Sequence, residues 1–205
     1  MKPIHLAIAI PGEAMPIESV RAFGRLLLEL TTNPPLGVVQ VSQSMFASSM
    51  LPYARSKVIA GALSGGATHV LCLDADMTYP PNIAHRLLEH GRPFVACNAT
   101  TRRPPIRWVA KDKAGEIIQS DQEKAPLTKA SVVGIAVALI QARVFTEIGN
   151  PLFNFEYTEN GWRGEDVWFC DRAIACGFVP MIDNRASLKI GHVGTRECTW
   201  ELLNR

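Results

Sequence analysis

His69-Val70-Leu71-Cys72-Leu73-Asp74-Ala75-Asp76-Met77 is an apolar run that ends in two carboxylates one residue apart. Four apolar residues, Val70 to Leu73, bounded by polar ones read as a buried strand. In an open α/β sheet, ligands bind at the carboxyl ends of the strands. Two acids placed there repel each other unless a cation or a bound polar group compensates them. A divalent metal carrying phosphate is the simplest compensator, because hard oxygen ligands suit Mg²⁺ and Mn²⁺. An Asp-x-Asp pair alone is common by chance; its place after a buried strand gives it value.

Outward from this stretch, the pattern alternates strand and helix. Residues 4–10 read as a first buried strand, closed by Pro11-Gly12. Residues 16–30 carry Val20, Phe23, Leu27 and Leu30 on a helical stripe, and Asn33-Pro34-Pro35 ends it. Residues 36–41 form a β-branched second strand. Residues 53–64 form a second helix with Ala54, Val58, Ala62 and Leu63 near one face, stopped at Gly65-Gly66. After the 69–73 strand, Asn82 caps a helix through His90 with Ile83 and Leu87 inward, and residues 93–97 are another strand. The β-α-β-α-β-α-β order predicts an α/β fold with a mostly parallel central sheet sandwiched by helices. Right-handed crossovers then put the loops that follow the strands on one rim.

Residues 98–130 are polar and basic, with a hairpin predicted between 107–109 and 116–118, turning at Lys113-Ala114-Gly115. Residues 131–141 are strongly apolar and return to the core. A short helix over 143–148 follows, then an aromatic-rich loop over 150–163. A helix over 165–176 has Val167, Cys170 and Ile174 at helical spacing and Gly177 as its stop. Residues 179–182 and 187–190 read as short strands.

Composition bounds the function. The 205 residues, 47% hydrophobic and 20% charged, predict one domain able to bury a core without disulfides. Its parts are an alternating strand–helix half (1–97), a polar loop and hairpin (98–130) and a more apolar half (131–205). A net charge of +2 does not demand a nucleic-acid partner. The cluster Arg102, Arg103, Arg107, Lys111 and Lys113 reads first as a solvated loop and second as an anion-binding patch. Five cysteines, with no C-x-x-C pair, fit reduced thiols and a cytoplasmic location. No apolar stretch approaches the ~20 residues that span a bilayer. The apolar run after Met1-Lys2-Pro3 is short and contains His5, so it does not read as a signal peptide.

Three groups of chemistry-bearing residues stand in order: Asp74-Ala75-Asp76 after a strand, Glu165-Asp166 at a helix start, and His192 after a late strand. Acids in a first helical turn ordinarily serve the dipole, and a lone His is ordinarily no ligand. Together they supply acids and an imidazole for a metal, and a separate acid for proton transfer.

With these residues in hand, the chain resembles GT-A-fold glycosyltransferases of the family 2 type, in a compact form. Ile8-Ala9-Ile10-Pro11 resembles the family's first strand, whose end borders the nucleotide. Ala54-Arg55-Ser56 resembles its Ala-Arg-Asn helix start, and Leu73-Asp74-Ala75-Asp76-Met77 its D-x-D segment. Val133-Gly134-Ile135-Ala136 resembles the acceptor segment, Gly164-Glu165-Asp166-Val167-Trp168-Phe169 the acidic helix start, and Gly191-His192 the C-terminal metal histidine. The chain departs from the pattern at Ser56, which replaces the frequent Asn, and at Gly134-Ile135-Ala136, which lacks a second glycine.

The resemblance implies transfer of a sugar, with inversion, from a nucleotide-diphosphate sugar to an acceptor hydroxyl. UDP is the first choice of nucleotide and GDP the second; the cofactor is Mn²⁺ or Mg²⁺. It implies Asp76 and His192 as metal ligands, with Asp74 in the metal site or on the ribose. Pro11, Arg55, Asp74, Ala75 and Asp76 would bind the nucleotide sugar, Arg55 through phosphate. Asp166 would be the general base, Glu165 its runner-up, and Gly134 and Trp162 would face the acceptor, with Trp168 in the core. The acceptor is open: a glycan, a small molecule or a modified nucleic acid. Two rival readings are a binding module of the same fold without turnover, and a sugar nucleotidyltransferase. The latter is disfavoured by a loop, Pro11-Gly12-Glu13-Ala14-Met15-Pro16, with one glycine and no Lys or Arg.

Overall fold

The structure is a computed structural model, and it describes residues 2–159, 161–194 and 197–199. In chain order the elements are β1 (Ile4–Pro11), α1 (Ile17–Thr32), β2 (Val38–Phe46), α2 (Leu51–Ser64), β3 (His69–Leu73), β4 (Met77–Thr78), α3 (Ile83–Glu89) and β5 (Phe94–Ala96). There follow β6 (Leu127–Lys129), β7 (Val137–Gln141), α4 (Ala142–Ile148), β8 (Glu156–Thr158), β9 (Gly161–Arg163), α5 (Glu165–Ala175), β10 (Met181–Asp183), α6 (Asn184–Ser187), β11 (Gly191–Val193) and β12 (Glu197–Cys198).

The central sheet has seven strands in the order β2-β1-β3-β7-β5-β10-β6. It is mixed, which corrects the mostly parallel sheet expected from the sequence. β1 pairs parallel with β2 and β3, and β10 with β5; β7 runs antiparallel to both β3 and β5, and β6 to β10. The cause is the segment after β5. It has no crossover helix, so the chain re-enters from the same rim and β7 must run against its neighbours.

Alternation along the strands builds two apolar layers. Ala7, Ala9, Val70, Cys72, Phe94, Ala96, Ala138 and Ile140 face one side, where α2, α4 and α5 pack. Leu6, Ile8, Ile10, Leu71, Leu73, Val95, Val137 and Leu139 face the other, against α1 and α3. Phe169 of α5 is fully buried, with the rings of Phe94, Phe145 and Phe153 centred 5.7, 5.5 and 5.0 Å away. Phe169→Ala is expected to cost about 3–5 kcal/mol in denaturant unfolding, because the cavity cannot collapse among three other rings.

Other local expectations shift. The buried stripe of α1 is Ser19, Ala22, Leu26 and Leu30, and Val20 is exposed. Helix α2 buries Ala54, Arg55, Val58, Ile59 and Ala62, and α3 buries Ile83 and Leu87 as expected. Strand β2 runs five residues past its expected end, because Ser42, Ser44 and Phe46 pair with β1. The 150–163 loop contains the β8–β9 hairpin. Residues 187–190 are no strand: Asp183 caps α6 by accepting from Ala186 N, and the strand begins only at Gly191.

The turn in 98–130 falls where the sequence puts it, with Asp112 N donating to Glu116 O, but it is a single bridge, Lys111 to Ile117, not a ladder. Buried asparagines fasten this excursion. Asn98 Nδ2 donates to Ile118 O (2.8 Å), and its Oδ1 accepts from Ala110 N (3.0 Å). Asn184 Nδ2 donates to Ala125 O and Thr128 Oγ1, both at 2.8 Å. Cys72, Cys97, Cys170 and Cys176 are free thiols; burial pushes Cys72 and Cys170 up to about 12, so neither ionises near neutrality. The Cys198 side chain lies outside the described residues.

Candidate active site

The carboxyl ends of β1, β3 and β5 share one rim, and the predicted chemistry collects there. Beyond β3 the chain turns into β4, which pairs antiparallel with β11 so that His192 stands opposite Met77. Val193 N donates to Asp76 O at 2.7 Å. This short sheet brings His192 Nε2 to 3.2 Å from Asp76 Oδ2, across 116 positions of sequence. The Nδ1 of His192 lies 2.8 Å from Thr100 O, so it carries a proton and leaves Nε2 for Asp76 or for a metal. Burial opposes the charge on His192, but the Asp76 hydrogen bond and the Thr100 carbonyl outweigh it and raise its pKa. Burial likewise works to raise the Asp76 pKa, and His192 and Arg102 overcome it, holding that carboxyl below its usual value.

Asp74 takes a different partner. Arg55, at the start of α2, has a side chain only 4% exposed, and its Nη2 donates to Asp74 Oδ2 at 3.0 Å. Arg55 Nε lies 3.6 Å from Glu165 Oε1, and Nη2 lies 3.8 Å from Asp166 Oδ1. One buried guanidinium therefore faces three carboxylates. Asp74 Oδ1 and Asp166 Oδ1 are buried oxygens that accept no hydrogen bond among the described residues. Burial pushes the Asp166 carboxyl up to about 7; Arg55 opposes this, while Glu165 and Asp74 add to it.

Two cavities meet over these groups. One, about 790 Å³, is walled by Pro11, Gly12, Met15, Leu51, Ala75 and Asp76. The other, about 520 Å³, is walled by Ala99, Thr101, Arg103, Val109, Gly134 and Val167. Asp74, Arg102, Glu165, Asp166 and His192 line both. Gly12 is at φ +137°, and a Cβ there would lie 3.0 Å from Ala75 Cβ, so glycine lets the first loop close onto the β3 end.

Of the ligand-binding and catalytic residues singled out from the sequence, all but Trp162 line one or both of these cavities. That indole is 74% exposed on β9, edge-on to Tyr157 at 5.3 Å, and is not part of either cavity wall. Trp168 is half-buried, its Nε1 donating to Pro151 O at 3.3 Å. The residue that sequence reasoning missed is Arg102. Its Nη1 donates to the same Asp76 Oδ2 at 2.8 Å. It was visible only as one member of a basic cluster, and nothing in the sequence paired it with Asp76.

The donor set suits a hard divalent ion. Among the described residues no group of three or more His, Cys, Asp or Glu converges on one point. Mg²⁺ and Mn²⁺ bound through phosphates need only one or two protein ligands and keep water for the rest, and Asp76 with His192 supplies two. The charge count agrees: Asp74, Asp76, Glu165 and Asp166 face Arg55 and Arg102, so negative charge is in excess unless Asp166 and His192 hold protons.

No family model matches the chain, and no curated protein matches it. Among solved structures, the one described as the crystal structure of A197 from STIV superposes with a TM-score of 0.59. The match covers 95% of this chain and 86% of that one, at 13% identity. The two share a fold. No helix among the described residues is long and apolar enough to cross a membrane.

Proposed function

We propose that the protein is a GT-A-type glycosyltransferase that moves a sugar from a nucleotide-diphosphate donor, UDP-sugar first, to an acceptor hydroxyl. The observation that carries this reading is the junction itself. Two cavities, sized for a nucleotide sugar and for an acceptor, meet at a metal-competent Asp76–His192 pair and at a carboxyl, Asp166, whose pKa lies near 7.

The larger cavity, beneath Pro11, Gly12 and Ala75, receives the nucleotide, and Asp74 lines it where the ribose would lie. Asp76 and His192 would hold Mn²⁺ or Mg²⁺, which when bound offsets the charge that develops on the departing diphosphate. Asp166, at the junction, takes the proton of the acceptor hydroxyl; a base near the working pH is best matched to that task. Arg55 holds Asp74, Glu165 and Asp166 in register from below. This role differs from the phosphate contact that the sequence suggested, since its guanidinium is committed to carboxylates. Gly134 borders the acceptor cavity, where a Cβ would lie 3.8 Å from Asp166 Oδ2 and 3.5 Å from Val109 Cγ2. Trp162 stays outside this pocket and meets only an acceptor long enough to reach the hairpin.

Calorimetric titration of UDP and GDP, with and without Mn²⁺, tests the reading. One nucleotide is expected to bind only with Mn²⁺, and EDTA to reverse the binding. A folded protein that binds neither would favour the binding-module reading and remove the metal–diphosphate site.

A further inference from the structure

A second cavity system lies on the same rim, farther along the sheet, beyond the carboxyl end of β10. It is about 540 Å³ and is lined by Arg86, Gln122, Arg185, Leu188 and Lys189, none of which borders the two cavities above. Three of the five are cations and none is an acid. Asp121 and Glu123 flank Gln122 in sequence, but neither lines the cavity. The carboxylate that pairs with one of these cations is Asp183, whose side chain is fully buried. It accepts from Arg86 Nε (3.0 Å) and Nη2 (3.5 Å), His90 Nε2 (2.8 Å) and Ala186 N (2.8 Å). Its acceptor capacity is used, so it neutralises Arg86 and nothing more.

Arg185 and Lys189 make no side-chain hydrogen bond or ion pair among the described residues. Arg185 stands in α6 and Lys189 just past its C-cap Leu188, and both line the cavity. Arg86 is different: Asp183 pins it, so one donor of the cavity is held in place before any ligand arrives. The local balance is three positive charges against one negative. A dianion restores neutrality, and charge-assisted hydrogen bonds from guanidinium and ammonium groups are the contacts phosphate oxygens take best. The volume exceeds what one phosphate group fills and falls in the range of small-ligand pockets.

We propose that this cavity binds a phosphomonoester, with Arg86, Arg185 and Lys189 around the phosphate and Gln122 and Leu188 against the body that carries it. The site is independent of the sugar-transfer reading. It also lies three residues upstream of His192, since Lys189 leads directly into β11.

The test is calorimetric titration at low salt with inorganic phosphate, glucose 6-phosphate and a 5′-phosphorylated dinucleotide as probes. Wild type is expected to bind at least one of them at one site. R185Q/K189Q is expected to lose about tenfold or more in affinity with an unchanged melting temperature, and R185K/K189R to restore binding. R102Q, which alters the Asp76 junction, is expected to leave the affinity unchanged. Tighter binding of glucose 6-phosphate than of the dinucleotide assigns the phosphate to a small molecule; the reverse assigns it to a nucleic-acid end. The proposal is overturned if no probe binds in the millimolar range, if R185Q/K189Q binds as wild type does, or if R102Q is the variant that loses binding.

Discussion

Asp76→Ala is expected to abolish Mn²⁺-dependent binding of the nucleoside diphosphate and to slow sugar transfer by about a thousandfold. Asp76 is the one carboxylate at the junction paired with His192, and its Oδ2 also accepts from Arg102. Removing it leaves a lone imidazole, which does not hold a hard divalent ion through phosphate. The fold is expected to survive, because neither Asp76 partner is in the core. Titrating the nucleotide with and without Mn²⁺ into the variant checks this. Wild-type binding in the variant would move the ion to Asp74 or remove it altogether. His192→Ala is expected to weaken the same Mn²⁺-dependent binding less, since a carboxylate and water still complete a coordination shell.

The fold was legible where side-chain period and burial coincide. Residues 4–10 and 69–73 declared themselves as strands, because apolar residues fill both faces of strands covered by helices on each side. The direction of β7 was not legible: an apolar run is the same read forward or backward, and its antiparallel entry follows from a connection that lacks a crossover helix. The sequence reads 187–190 as a strand because Leu188 and Ile190 alternate with Ser187 and Lys189. The signal that decides them is the Asp183 cap, a hydrogen bond from Ala186 N that only the folded turn displays.

The site was legible in its residue types more than in its pairings. Asp74, Asp76, Glu165, Asp166 and His192 could each be named from local context. That Asp76 takes His192 while Asp74 takes Arg55 is set by register, His192 opposite Met77, and by one buried turn of α2. Trp162 illustrates the converse. A Gly-bordered Trp next to two acids suggested a platform for sugar. Cross-strand pairing with Tyr157 instead turns its ring onto the hairpin surface.

Asp166→Asn is expected to reduce transfer by about a thousandfold while leaving Mn²⁺-dependent nucleotide binding intact. The reason is its environment. Burial raises its pKa to about 7, against an ordinary value of 3.8, and Arg55 fails to bring it down because Glu165 and Asp74 share the same guanidinium. For wild type, kcat/KM should therefore rise with pH and level off above about 7, as the base loses its proton. The same shift fixes the sign of a stability effect. Between pH 3.8 and about 7 the unfolded chain has released this proton while the folded protein retains it. Stability attributable to Asp166 is thus highest below that window and is lost as pH rises through it. Asparagine carries no such loss, so the variant's melting temperature should gain on wild type between pH 4 and 8 even as activity disappears. A dead variant with no such gain would mean that the carboxylate is already ionised in the folded protein at low pH. If Asp166→Asn kept near-normal transfer and Glu165→Gln abolished it, Glu165 would be the base and Asp166 its neighbour in the Arg55 cluster.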